Sequence, residues 1–297
     1  LPTGETKIKI GDRVVISGYP SVVENIVNIF IKGIPQFPLQ FGTDIAVPLN
    51  PDNLKPLEEA EYLRKNSKAH KLQIYLFKNI SKEKINKVLQ FLNPSFYELK
   101  GRIRDITDLF KKKKGRENIA IVVVPFINLP FYYHSIFAFV KGSFIKRLMR
   151  IADKPFLLSM GTFPYSEIVV SLNSPDPAFT LEIGMELSRI SKIPLKVVYA
   201  TTIPEMRGLE EEKALKERKD IVNDFKHIYG TNIEFVILEG NPIKESVKYI
   251  NKLDKCLVIM SYDKKLGVSI FDSIFKPHIQ YSIVKKLEQS VLLIPLE

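Results

Sequence analysis

Short unbroken apolar runs and longer amphipathic stretches alternate along almost the whole chain. The run Ile45-Ala46-Val47-Pro48-Leu49 predicts a buried strand. A helix is expected over 54–68 and a strand over 72–77. Ser81 marks the start of a helix with Ile85, Val88, Leu89 and Leu92 on one face. Then follow a strand at 96–99, a helix at 103–110, a strand at 119–124, a helix at 144–151 and a strand at 156–158. The second half runs through the same sequence of elements. Strands are expected at 168–172, 195–199, 233–238, 257–260 and 291–294. The intervening helices fall at 179–191, 209–228, 243–253 and on a segment ending near Leu287.

The two halves correspond in wording as well as order. The segment 45–50 (Ile-Ala-Val-Pro-Leu-Asn) matches 168–173 (Ile-Val-Val-Ser-Leu-Asn), and Phe156-Leu157-Leu158 matches Val291-Leu292-Leu293. Strand–helix alternation of this kind requires a parallel sheet with helices on both faces. The expected fold is α/β, with two doubly wound, five-stranded, Rossmann-like units spanning 42–161 and 165–297. The first residues break the pattern. Two β-branched runs around Gly11-Asp12 predict a hairpin, and Ser21 opens a short helix. Residues 1–32 thus form a small separate segment, joined by a Pro-containing linker at 33–41.

Composition changes this picture little. With 45% apolar and 26% charged residues, the chain has the balance of a globular protein. The net charge of +11 is dispersed, apart from the run Lys111-Lys112-Lys113-Lys114. It comes without a reading helix or aromatic stacking motif, so nucleic acid is not the expected partner. The single cysteine, Cys256, lies in an apolar run and reads as packing; an intrachain disulfide is excluded. The four histidines have no metal-ligand spacing, so no metal site is expected. Residues 118–140 carry no charge and have the length of a membrane span. The run Ile121-Val122-Val123-Val124 ending at Pro125 instead predicts a strand followed by an unusual loop.

Each half resembles a universal stress protein domain. The residues that carry the resemblance are Val47-Pro48-Leu49, the turn Glu239-Gly240-Asn241-Pro242, Gly142-Ser143, and Lys154-Pro155-Phe156-Leu157-Leu158. It implies two such domains in tandem, forming an internal pseudo-dimer through their last strands, with a homodimer a further expectation. The first forty residues resemble the end of a TrkA-C domain, through Leu1-Pro2, Gly4-Glu5 and the stretch 10–18. In relatives that domain accompanies potassium channels and cation:proton antiporters. Together the resemblances imply the cytoplasmic regulatory end of an antiporter-type Na+/H+ or K+/H+ transporter, whose membrane domain is the expected partner. A location at the cytoplasmic face of the inner membrane follows. The alternative is a free-standing tandem stress protein that binds a nucleotide.

ATP-binding members of that family carry Gly-x2-Gly-x9-Gly-Ser after the fourth strand. Glycines there let backbone N–H groups approach phosphate, and the final pair sits at a helix N-terminus, where the dipole favours anions. In the first half Gly142-Ser143 fits the end of the pattern, while Leu129 and Tyr132 replace the earlier glycines. In the second half Gly267 fits the middle position, Lys264 stands in the first, and Pro277-His278 replaces Gly-Ser. The acidic residue usual after the first strand is Asn50 in one half and Asn173 in the other. The resemblance therefore gives a degenerate first site at Asn50, Gly142 and Ser143. A residual one lies at Asn173, Lys264 and Gly267 and would take ATP or another adenine nucleotide if either half does. No cofactor is expected to be required, and no catalytic constellation is visible. Asp52 and Asp176 read as helix-start residues. The aromatic stretch 126–140 is expected to fill the vacated cleft or to form a docking patch.

Overall fold

The computed structural model describes residues 14–18, 23, 37–77, 81, 83, 85–86, 90, 93–111, 115–126, 141–264 and 279–296. The chain divides into Leu1–Ile34 and Pro35–Glu297. The hairpin and helix expected in the first segment lie almost wholly outside the described residues, as do the helix after Ser81 and nearly all of the 126–140 aromatic stretch.

In the second unit the strands are β1 (Asp44–Leu49), β2 (Lys71–Phe77), β3 (Tyr97–Ile103), β4 (Ile119–Pro125), β5 (Phe156–Ser159), β6 (Glu167–Ser171), β7 (Leu195–Thr201), β8 (Glu234–Glu239), β9 (Cys256–Asp263) and β10 (Ser290–Leu296). They form one ten-stranded sheet in the order β3-β2-β1-β4-β5-β10-β9-β6-β7-β8. Read outward from the centre, both halves have the same order. All pairs are parallel except one, where β5 and β10 run antiparallel with Leu157 opposite Leu292. The two closing strands, apolar and short, thus cover each other's open edges.

The helices are α1 (Lys55–Lys65), α2 (Lys141–Ile151), α3 (Pro177–Ser191), α4 (Leu209–Tyr229), α5 (Pro242–Ile250) and α6 (Ile279–Val284). Successive strand residues point to opposite faces. Val122 and Val124 of β4, Val258 and Met260 of β9 and Leu293 of β10 enter a core completed by Ile145, Leu148 and Met149 of α2, Ile250 of α5 and Ile283 of α6. Their neighbours Ile121, Val123, Ile259 and Leu292 are equally buried and serve the other face. A sheet covered on both sides needs near-continuous apolar strands, which is why these strands read as unbroken runs.

Helix α3 lies unusually close to the sheet. A Cβ at Gly184 would fall 2.2 Å from Val170 Cγ2 of β6. Helix starts follow local chemistry. Asp176 Oδ1 accepts from Phe179 N at 3.0 Å and caps α3 as expected. Asn241 Oδ1 accepts from Ile243 N and Lys244 N at α5, after Gly240 at φ 132°. Asp52 does not cap: α1 starts behind Leu54, with no side-chain cap and with Pro56 in its first turn. The 103–110 helix is also corrected. Strand β3 continues to Ile103, and only 106–110 winds, as a 3-10 turn begun by Asp105 accepting from Thr107 N.

Candidate functional site

In a doubly wound sheet the strand order reverses between two neighbours, and the crevice beyond their C-terminal ends is where ligands bind. Here the reversals fall between β1 and β4 and between β6 and β9.

At the second of these places the chain turns at Ser171-Leu172-Asn173. Asn173 reaches sideways to β7: its Nδ2 donates to Ala200 O at 2.7 Å, and its Oδ1 accepts from Ala200 N at 2.8 Å. β6 has ended by then, so the amide continues the ladder in place of a missing strand residue. The Asn173 carbonyl accepts from Gln280 Nε2 of α6 at 2.7 Å. Beside it a hydroxyl cluster closes the gap between β6, β9 and the start of α3. Ser174 Oγ donates to Ser171 O at 3.1 Å, and Thr180 Oγ1 donates to Asp176 O at 2.5 Å. Thr180 Oγ1 also lies 2.7 Å from Ser261 Oγ and 3.2 Å from Ser174 Oγ. Ser174, Thr180 and Ser261 are all buried.

These groups saturate one another. A ligand that took the Asn173 amide would have to replace both bonds to Ala200, and each buried group left unpaired costs about 1–3 kcal/mol. Lys264 lies one residue beyond β9 and is half-buried. Gly267 lies outside the described residues. The structure thus brings Asn173 to the switch point and places Lys264 just beyond β9, and it adds Ser174, Thr180, Ser261 and Gln280, which sequence reading missed.

At the first switch point Asn50 is buried and forms a local turn, its Oδ1 accepting from Asp52 N at 3.1 Å and its carbonyl from Asn53 N. Among the described residues it makes no bridge to β2 of the kind Asn173 makes to β7. Gly142 and Ser143 lie in the first turn of α2. Among the described residues no cluster of three or more His, Cys, Asp or Glu is placed to hold a metal ion. Cys256 is fully buried, and burial pushes its thiol up to about 12, which keeps it un-ionised.

A second polar group lies at the centre of the molecule. Glu59 of α1, wholly buried, accepts from Ser159 Oγ, from Tyr165 Oη at 2.5 Å and from Gly161 N at 3.3 Å. Ser290 joins this group: its Oγ accepts from Met160 N at 3.0 Å, and its N donates to Thr162 Oγ1 at 3.1 Å. Burial raises the Glu59 pKa against the lowering effect of these hydrogen bonds. One carboxylate thus ties α1, the end of β5, the 160–165 connection and the start of β10.

No family model matches the chain, and no curated protein matches it in sequence. Solved structures do match. A functionally unknown protein from Pseudomonas aeruginosa PAO1 has a TM-score of 0.60 at 16% identity, covering 86% of this chain and 93% of its own. A universal stress protein from Archaeoglobus fulgidus DSM 4304 gives 0.55 at 12% identity, over 85% of this chain and 98% of its own. The cytoplasmic domain of a prokaryotic cation chloride cotransporter gives 0.51 at 14% identity, over 85% and 95%. The fold is therefore that of universal stress protein-like α/β proteins.

Proposed function

We propose that this chain is a regulatory region of a cation transporter, acting through partner or ligand binding and not through catalysis. The observation that carries the reading is the match to the cotransporter's cytoplasmic domain, which extends over 95% of that domain and over 85% of this chain, and so includes residues of both halves of the sheet. The TrkA-C-like start supports it independently, since such domains accompany cation transport systems. The narrower assignment, an antiporter exchanging Na+ or K+ for protons, rests on that start alone. Among the described residues no helix is long and apolar enough to cross a membrane.

The second reading, nucleotide binding at Asn173, Lys264 and Gly267, is favoured by the position of Asn173 at a switch point. It is opposed by the two bonds that occupy its amide. Calorimetric titration with ATP and a thermal shift in millimolar ATP test it. The regulatory reading expects no heat of binding and no shift. A ligand present at 100 times its dissociation constant would add about 2.7 kcal/mol of stability, which such a scan detects.

A further inference from the structure

Helix α3 carries two carboxylates one turn apart on a buried face, Glu182 and Glu186. They are 6% and 2% exposed. Glu186 Oε1 takes Arg189 at 2.5 Å, but its Oε2 is buried with no hydrogen bond among the described residues. Glu182 receives no hydrogen bond and no ion pair from any described residue. Two adjacent buried carboxylates, with one half-exposed arginine paired to Glu186 alone, form an unbalanced arrangement, and a proton is the smallest ligand that balances it.

We infer that the Glu182–Glu186 pair is a proton-binding site that makes the packing of α3 against α4 depend on pH. Among the described residues, the titratable and charged groups facing it are these. On α3 itself, Asp176 and Glu186 oppose ionisation of Glu182, while Arg189 favours that of Glu186. From the turn after α1, Lys68 also favours the charged form of Glu186. From the end of α4, Tyr229 lies within the field of both carboxylates; burial first, and their charge second, push its hydroxyl up to about 12. Burial, reinforced by Glu186 and Asp176, raises Glu182 from 4.5 to about 7.

The sign follows from linkage. The folded chain holds the Glu182 proton up to about pH 7, whereas the unfolded chain releases it near 4.5. Between those values the folded state binds more protons, so stability falls as pH rises and levels off above about 7. The inference stands without the transporter reading.

The test is thermal unfolding of the whole chain from pH 5 to 8.5, for the wild type, Glu182→Gln and the exposed control Glu210→Gln. The wild type and the control are expected to lose about 5 °C of Tm on going from pH 5.5 to 8. Glu182→Gln is expected to lose much less and to melt above the wild type at pH 8. Carbon-13 NMR of glutamate-labelled protein reads the same site directly: a Glu carboxyl that titrates near neutral pH in the wild type should be missing from the Glu182→Gln spectrum, whereas the carboxyls of Glu59 and Glu186, also raised by burial, should remain. An unchanged slope in a folded Glu182→Gln protein would overturn the inference. So would a wild-type spectrum in which every Glu carboxyl titrates below about pH 5.5.

Discussion

Gly184 shows how closely a single position constrains this fold. Its missing side chain lets α3 rest on Val170, which is itself fully buried and has nowhere to move. Gly184→Ala is predicted to destabilise by about 1–3 kcal/mol through overpacking, read as a lower urea midpoint. Adding Val170→Ala should recover part of that loss. Asn173→Ala removes two hydrogen bonds and leaves the Ala200 N–H and carbonyl unpaired. The expected cost is about 1–3 kcal/mol, with no change in ATP response if the amide serves only the ladder. From the sequence Asn173 looked like a substitute for a ligand-binding acid, since its position after an apolar strand was legible. Its partner was not, because Ala200 lies 27 residues away and offers only backbone atoms.

At the scale of elements, strands were easy to read where burial on both faces demands unbroken apolar runs, as in β4 and β9. They were hard at the edges. β3 (Tyr97–Ile103) is an outer strand bearing Glu98, Lys100 and Arg102, so its second half reads as helix or loop. The polar clasp on Glu59 was also illegible. Glu59 sits on an amphipathic helix among Glu58 and Glu61, and nothing local marks it as the buried one. Glu59→Ala would strand the hydroxyls of Ser159 and Tyr165 and the N–H of Gly161. It should cost at least about 2 kcal/mol in urea unfolding. The exposed neighbour Glu58→Ala should stay within about 0.5 kcal/mol of wild type.

Across the whole molecule, the antiparallel seam between β5 and β10 makes one sheet of ten strands from two equivalent sets of five. The repeat was visible in matched segments of sequence, and the seam followed from two short apolar strands that each needed a partner. What the whole molecule does was less visible, because both phosphate-loop patterns are broken in the sequence. The regulatory reading makes a claim about the gene product as a whole. Cation flux should therefore be measured in inverted membrane vesicles carrying either the complete gene product or the same protein lacking residues 37–297. The account predicts that both transport cations, and that removal of this region changes the rate of transport or its dependence on pH. The absence of cation flux from the complete protein, or identical flux with and without this region, would contradict it.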